Sequence, residues 1–172
     1  LVDGARTPFI KARGKPGPFS AADLAQSAGR PLLARLAEKV ATKNFDHVIL
    51  GNVMAGPEEA NIARVASLRL GFGKQVPAFT VHRNCASGMQ AVDSAALEIS
   101  TGRADLILAG GVEAMSHAPL LWSRQMTGWL GDLYKAQGLG KAAAIARLRP
   151  SMLKPVIGLL LGLTDPIVGL NK

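Results

Sequence analysis

A strand, a helix and a second strand follow one another closely in the middle of the chain, and this succession constrains the fold most. Residues 78–82 and 105–109 are short apolar runs, and residues 85–100 between them carry apolar side chains at helical spacing. A strand, helix, strand unit of this kind forms a right-handed crossover between parallel strands. We therefore expect an α/β fold built on a parallel or mixed sheet.

The segments before this unit predict further elements of the same fold. Residues 9–19 are rich in glycine and proline, which predicts an exposed loop. Ser20 and Asp23 then form a capping-box pattern, and apolar residues recur at helical spacing as far as Val40. Pro31 lies inside this helix and should kink it or split it in two.

Two more elements lie between that helix and the central unit. Residues 47–53 (HVILGNV) predict a short buried strand, and residues 58–70 predict a helix with a glycine stop. The character of the sequence changes near Pro119, after which aromatic, glycine and proline residues are scattered through a cationic, partly helical segment. We therefore predict a core domain over residues 1–118 and an appended domain over residues 119–172.

Composition excludes several classes of protein. Of the 172 residues, 48% are hydrophobic and 19% are charged, which is enough apolar surface for a folded core. A single cysteine and the lack of a leader pattern argue against a secreted disulfide scaffold, so we expect a cytoplasmic protein. The longest apolar stretch, residues 156–163, is far shorter than the roughly 20 residues of a membrane span. The chain begins without Met and stops without a terminating signal, so we expect it to be a fragment.

The net charge of +8 lies mainly at the two ends of the chain, around a nearly neutral middle. Aromatic residues make up only 5%, and no nucleic-acid recognition motif is present, so we expect no nucleic-acid partner. Residues 138–141 (GLGK) lack the strand and the Ser or Thr of a phosphate loop, and Gly110-Gly111 lacks a dinucleotide fingerprint. We interpret both glycine pairs as turns and expect no nucleotide cofactor.

Cys85 is the one candidate nucleophile. It follows the strand at residues 78–82 by a short turn and stands at the predicted start of a helix, which is where ligands bind in parallel α/β sheets. The helix dipole and free backbone N–H groups there favour a thiolate and offer a donor to a developing oxyanion. Ala86, Ser87 and Gly88 leave room for an acyl group. An inert buried cysteine is an equally good interpretation of this position by itself.

The histidines offer no clear partner for this thiol. His82 belongs to the strand and, three residues before Cys85, is expected to point to the opposite face. His47 and His117 are the only others, and no two of these residues show metal-ligand spacing with Cys85 on a common element. We expect no metal site.

Five segments, in order and spacing, are similar to segments of the thiolases, the acyl-CoA C-acyltransferases. They are residues 5–9 (ARTPF), 51–53 (GNV), 61–64 (NIAR), 83–91 (RNCASGMQA) and 109–116 (AGGVEAMS). The first resembles the family's opening strand and turn, and the fourth resembles its nucleophile segment. The resemblance implies a five-layer αβαβα fold of two similar halves. This chain would supply most of the first half and the start of an inserted loop domain, a little under half of a subunit.

The resemblance also implies a reaction. Cys85 would attack the keto carbon of a 3-ketoacyl-CoA, with its backbone N–H as an oxyanion donor, and free CoA would take the acyl group, or the condensation would run in reverse. Coenzyme A is then a substrate and no cofactor is needed. Asn171 resembles a residue of the acyl-CoA pocket. The family's Gly-His-Pro segment and second cysteine are missing from this sequence, so we expect the isolated chain to be inactive.

Two alternatives remain open beside an acyltransferase of fatty-acid metabolism. The chain could be a natural truncated module that binds or dimerises without catalysis, or a ketoacyl synthase that works on carrier-protein substrates. The family's habit implies a homodimer or homotetramer at full length. The helix after Cys85 is rich in small residues on several faces, which indicates that it packs against close neighbours and a partner surface.

Overall fold

The computed structural model describes residues 1–12 and 15–157 of the chain. The chain divides into two compact units, Leu1–His117 and Ala118–Lys172. The identity of residues 1–118 as a core domain and of residues 119–172 as a loop domain stays a prediction, because a division into units does not say what either unit is. Asn171 lies outside the described residues.

A parallel sheet of three strands forms the centre of the first unit. The strands are β1 (His47–Gly51), β2 (Ala78–Val81) and β3 (Ile107–Gly111), and their order in the sheet is β2-β1-β3. All pair in parallel register. Val48 and Ile49 of the central strand are fully buried, as a β-branched run between two neighbouring strands requires. The prediction of an α/β fold with a parallel sheet is confirmed.

The strands differ from the predicted runs at their carboxyl ends. β1 stops at Gly51 rather than at residue 53, and β2 stops at Val81 rather than at residue 82. Gly110 and Gly111 are the last two residues of β3, not a turn, because they pair with Leu50 and Gly51 across the ladder. The interpretation of this glycine pair as a turn was wrong.

The amino ends of β1 and β3 are joined by one carboxylate. Asp46, directly before β1, accepts hydrogen bonds from the backbone N–H groups of Asp105 (2.8 Å) and Leu106 (2.9 Å). These bonds favour the ionised form and hold the pKa of Asp46 below its ordinary value of 3.8. The two strands are therefore fixed in register at the edge of the sheet opposite to their carboxyl ends.

Helix α1 (Ala21–Leu36) confirms the predicted start of the first helix. Ser20 Oγ accepts from the Asp23 N–H at 3.3 Å, and Asp23 Oδ2 accepts from the Ser20 N–H at 2.9 Å, which together form a capping box. Pro31 lies inside α1 without dividing it. Gly29 and Leu32, on either side of Pro31, are buried.

Two further helices cover the sheet. Helix α2 (Ile62–Arg69) is shorter than the predicted segment because Asn61 Oδ1 caps it, accepting from the Arg64 N–H at 3.2 Å, and a short 3-10 turn (Pro57–Glu59) precedes it. Helix α3 is Ser87–Ser100. Helix α3 contributes Ala91 and Ala95 to a small buried cluster with Ile49. The larger cluster comes from α1, α2, β1 and loop residues: Ala21, Ala22, Phe45, Val48, Leu50, Ile62, Ala63, Ala66, Phe72, Val76 and Ala114.

Residues 1–12 form no strand, contrary to the expectation that residues 5–9 contribute a strand and turn. The segment is held against α1 instead. The Arg35 side chain donates to Asp3 Oδ2 and to the Gly4 carbonyl, both at 2.9 Å. The hydrogen bond from Arg35 lowers the pKa of the Asp3 carboxyl.

The second unit is partly helical, as its sequence indicates. It contains α4 (Arg124–Lys135), α5 (Leu139–Ala146), a 3-10 turn (Pro150–Leu153) and an antiparallel pair of two-residue strands, β4 (Leu120–Leu121) and β5 (Val156–Ile157). Trp129 Nε1 donates to the Ala144 carbonyl at 2.7 Å and ties α4 to α5. Within the part of the chain that the structure describes, no helix has the length and hydropathy to cross a bilayer.

Candidate active site

Cys85 lies in the turn of residues 82–86, which connects the carboxyl end of β2 to α3 and which we name the Cys85 turn. The residue is exposed. It stands two positions before Ser87, the first residue of α3, so it lies ahead of the helix rather than inside it as expected. Its place at the carboxyl edge of a parallel sheet is the place that the sequence predicts.

The backbone reverses sharply at Asn84. Its φ of +47° is the only positive φ of a non-glycine residue among the described residues. Asparagine tolerates this left-handed conformation better than most residues. Two bonds close the turn around it, from the Ala86 N–H to the Arg83 carbonyl (3.0 Å) and from the Ser87 N–H to the Asn84 carbonyl (3.1 Å). Cys85 is therefore carried on a tight, defined loop.

The Ser87 hydroxyl fastens this turn from within. Ser87 is 4% exposed. Its Oγ accepts from the Arg83 N–H at 2.8 Å and donates to the Asn84 carbonyl at 2.7 Å. One side chain thus bonds the two residues immediately before Cys85, and the sequence offered no sign of this role.

Three glycines bring the start of α3 directly onto the sheet. An ideal β-carbon on Gly51 would lie 2.2 Å from the Ser87 carbonyl carbon, and one on Gly111 would lie 2.8 Å from the Gly88 α-carbon. Side chains at these positions would push the helix away, so only glycine permits this approach. Gly51 and Gly111 are paired across the ladder and form the platform on which Ser87 and Gly88 stand.

A carboxylate bridge joins the loops after β1 and β3 at the same edge. Glu113 accepts from the backbone N–H groups of Val53 (2.9 Å) and Met54 (3.1 Å) and from Asn52 Nδ2 (3.2 Å). Asn52, 3% exposed, also donates through Nδ2 to the Val112 carbonyl at 2.8 Å. The bridge holds the residue after Gly51, and with it the platform beneath α3.

Of the three small residues expected to leave room for an acyl group, Ser87 and Gly88 instead pack on the strands. Ala86 lines an open surface cavity of about 440 Å³, whose lining does not include Cys85. The lining residues of that cavity are Arg83, Ala86, Met89, Gln90, Val92, Asp93 and Ala96. The cavity therefore runs along α3 from the Cys85 turn.

The polar side chains of that cavity form a chain of hydrogen bonds. Gln90 accepts from the Arg83 guanidinium at 2.5 Å and donates through Nε2 to Asp93 Oδ2 at 3.2 Å. The guanidinium of Arg83 is thus directed along α3 toward an acidic side chain. It supplies the cationic group closest in sequence to Cys85.

The apolar stripe that predicted α3 is not the face that packs on the sheet. Ser87, Ala91 and Ala95 are buried, whereas Met89 is 72% exposed and Ile99 is 46% exposed. The small residues face the strands because only they allow close approach. The larger residues of the helix remain at the surface of the described chain.

The three histidines lie in different places. His82 Nε2 is 3.3 Å from Asn84 Oδ1, His117 Nε2 is 2.7 Å from the Gly17 carbonyl oxygen, and His47 is part of β1. Within residues 1–12 and 15–157, no hydrogen bond joins a histidine to the Cys85 sulfur. No group of three His, Cys, Asp or Glu side chains in that same part could hold a metal ion.

Comparison with known proteins identifies the family. Residues 1–148 match the family model described as thiolase, N-terminal domain. Human mitochondrial trifunctional enzyme subunit beta is 37% identical over 156 residues, which are 90% of this chain and 32% of that protein. Human mitochondrial 3-ketoacyl-CoA thiolase is 39% identical over 120 residues, which are 69% of this chain and 30% of that protein.

Solved structures agree. The crystal structure of human mitochondrial 3-ketoacyl-CoA thiolase in complex with CoA matches with a TM-score of 0.70 at 31% identity, covering 98% of this chain and 38% of that one. The Bacillus anthracis acetyl-CoA acetyltransferase matches with a TM-score of 0.62 at 29% identity, covering 91% and 36%. The matched residues cover 30% to 38% of the length of these proteins, so the chain spans less than half of them. Because the family model covers residues 1–148 of 172 and the structural matches share its fold, the chain belongs to the thiolase family.

Proposed function

We propose that this chain supplies the nucleophile of a thiolase-type acyltransferase that cleaves a 3-ketoacyl-CoA to acyl-CoA and acetyl-CoA, or runs the reverse condensation. The observation that carries the proposal is Cys85, the only cysteine, exposed in a turn that the sheet fixes at its carboxyl edge. Membership of the thiolase family supports it. Coenzyme A takes part as a substrate, and the reaction needs no cofactor.

The reaction divides into two acyl transfers. The Cys85 sulfur attacks the keto carbon of the substrate, the bond from that carbon to the α-carbon breaks, and its electron pair leaves with acetyl-CoA, which then gains a proton. The thiolate of free CoA attacks the thioester on Cys85, and the Cys85 thiolate departs. Splitting the reaction in this way replaces one difficult step by two easier ones.

The backbone of the Cys85 turn can stabilise the charge that develops. The Cys85 N–H belongs to the turn that precedes α3, near the positive end of the helix dipole. We assign it as an oxyanion donor for the substrate carbonyl, as part of a site that later residues of a longer subunit complete. Asn171 stays a predicted residue of the acyl-CoA pocket.

By itself the chain should not catalyse repeated turnover of substrate. The resemblance implies a histidine that activates the thiol and a second cysteine that moves the proton, and this sequence contains neither the Gly-His-Pro segment nor another cysteine. Groups that act as one unit do not tolerate the loss of a member. Purified chain with acetoacetyl-CoA and CoA should therefore show no steady-state product, and measurable turnover would contradict this part of the proposal.

The assignment of Cys85 is tested by mapping the acyl group. After exposure to acetoacetyl-CoA, intact-mass analysis of the wild-type chain should show one added acetyl group, and peptide mapping should place it on Cys85. The Cys85→Ser variant should remain unmodified under the same conditions. An equal mass increase in this variant would overturn the assignment.

A non-catalytic dimerisation module is the second candidate. The outward side chains of α3 support it, since Met89, Leu97 and Ile99 are 72%, 55% and 46% exposed, and a helix face of this kind is suited to a partner surface. Sedimentation of the purified chain distinguishes the candidates in part. A well-folded monomer would count against the module, whereas the dimer or tetramer expected at full length stays a prediction. The cytoplasmic location stays a prediction.

A further inference from the structure

The Cys85 turn contains a strained residue whose conformation must be maintained. Asn84 has φ +47°, and an L-residue in this region costs about 1 kcal/mol or more relative to the right-handed region. Such strain persists only where the surroundings determine the conformation. Besides the two backbone bonds that close the turn, a side chain can hold this conformation by bonding the backbone on both sides of Asn84.

Ser87 makes those contacts. Its buried hydroxyl accepts from the Arg83 N–H (2.8 Å) and donates to the Asn84 carbonyl (2.7 Å). Both bonds are short and involve backbone groups, so they fix the peptide that joins His82 to Arg83 and the peptide that joins Asn84 to Cys85. An alanine at position 87 would leave the Arg83 N–H without this acceptor.

Ser87 is itself packed tightly on the sheet. Its carbonyl carbon would be only 2.2 Å from a β-carbon placed on Gly51, and the next residue, Gly88, packs on Gly111. Both glycines are in strands of the sheet. The sheet therefore fixes the position of the Ser87 backbone and hydroxyl. The hydroxyl in turn fixes the backbone before Cys85.

We propose that Ser87 is a positioning residue for Cys85: its hydroxyl holds Asn84 in the left-handed conformation and so places the Cys85 thiol at the N-terminal end of α3. This inference rests on the proposed function, in which Cys85 is the nucleophile. Its test needs no acyl-CoA, so its failure and the failure of the proposed function are distinguishable.

Alkylation of the thiol provides the readout. Cys85 is the only cysteine of the chain, so the rate of reaction with iodoacetamide reports on this residue alone. Displacing the thiol from the end of a helix should change the rate by the size of a helix-terminus effect, which is about two- to fivefold. We expect folded Ser87→Ala chain to react about two- to fivefold more slowly than wild type over a range of pH.

The chain offers a matched control. Ser67 Oγ is buried in α2 and has no hydrogen-bond partner among the described residues, so Ser67→Ala removes a buried hydroxyl without breaking a bond. That variant should react at the wild-type rate. A wild-type rate in Ser87→Ala, or an equal loss in Ser67→Ala, would overturn the proposal.

A rescue distinguishes positioning from general support of the fold. Glycine adopts positive φ without strain, so Asn84→Gly should make the Ser87 hydroxyl less necessary. In the Ser87→Ala background, Asn84→Gly should recover at least half of the lost rate, and circular dichroism should show both chains folded. Absence of recovery would contradict the proposal. If neither the single nor the double variant folds, Ser87 supports the fold rather than this turn, and the proposal is also wrong.

Discussion

The carbonyl carbon of Ser87 lies 2.2 Å from the point where a β-carbon on Gly51 would stand. The strand and the first residue of α3 therefore touch through their backbones. Since Cys85 is two residues before Ser87, the location of the candidate nucleophile depends on a glycine more than thirty positions earlier in the chain.

Gly51→Ala should destabilise the fold. The new methyl group would overlap Ser87 and Gly88 backbone atoms at 2.2 to 2.4 Å, which cannot rotate away. We expect a loss of about 2–3 kcal/mol in the free energy of unfolding, measured by urea denaturation. Gly110→Ala is the control, because a β-carbon there would lie 3.8 Å from Leu50 Cδ2, an ordinary contact. A difference between the two variants below about 1 kcal/mol would contradict the close approach.

Asn52→Asp should be more destabilising than Asn52→Ala. The Asn52 amide donates to the Val112 carbonyl and to Glu113, so a carboxylate would place acceptors against acceptors in a buried position. At neutral pH we expect losses of about 3 kcal/mol or more for Asp and about 1–2 kcal/mol for Ala.

The pH dependence of that difference provides a check. As pH falls, the new carboxyl takes up a proton and can again donate to the Val112 carbonyl, so the difference between the two Asn52 variants should shrink toward acid pH. Thermal unfolding followed by circular dichroism at several pH values measures it. A constant difference would show that the Asn52 side chain acts by packing rather than by hydrogen bonding.

Asp46 should make stability depend on acid pH. Its pKa is lowered in the folded chain by the N–H groups of Leu106 and Asp105. A lowered folded pKa contributes stability that is present above the ordinary value of 3.8 and is lost as pH falls through the folded pKa. The Tm of the wild type should therefore exceed that of Asp46→Asn at neutral pH, and the two should converge below about pH 4. Glu38→Gln, at an exposed position, serves as the control. A gap in Tm between wild type and Asp46→Asn that persisted at the lowest pH would argue against this assignment.

Glu59 should stabilise the start of α1. Its carboxylate accepts from Ser20 Oγ at 2.6 Å and from the Ala22 N–H at 3.2 Å, next to the positive end of the helix dipole. Glu59→Gln should cost about 1 kcal/mol in unfolding free energy, and the cost should fall as salt is added. The neighbouring Glu58→Gln, at an exposed position, should be nearly neutral. Equal losses of unfolding free energy in the two variants would contradict the capping role of Glu59.

Local sequence patterns predicted the elements well. The three short apolar runs became the three parallel strands, and Ser20 with Asp23 formed the capping box. These features depend on residues within one turn or one strand, where spacing determines structure directly. The position of Cys85 at the carboxyl edge of the sheet follows from the same patterns.

Features that depend on distant residues could not be predicted. Glu113 binds backbone groups about sixty positions earlier, and no local pattern reveals such a bridge. The periodicity of α3 indicated a helix but not which face would meet the sheet, because Gly51 and Gly111 decide that by admitting only the small side chains. Asn84 before Cys85 was the one local sign of a left-handed turn, since asparagine favours that conformation.

The most direct test of the central claim compares acylation of Cys85 in the folded and the urea-unfolded chain. Both are mixed with acetoacetyl-CoA, and the rate at which one acetyl group is added is followed by intact mass, which separates it from the heavier acetoacetyl group that thioester exchange would add. If the turn and α3 present Cys85 as an acyl acceptor, the folded chain should gain the acetyl group at least several times faster than the unfolded chain, in which the thiol reacts without assistance. Equal rates, or faster reaction of the unfolded chain, would contradict the assignment of Cys85 as the nucleophile.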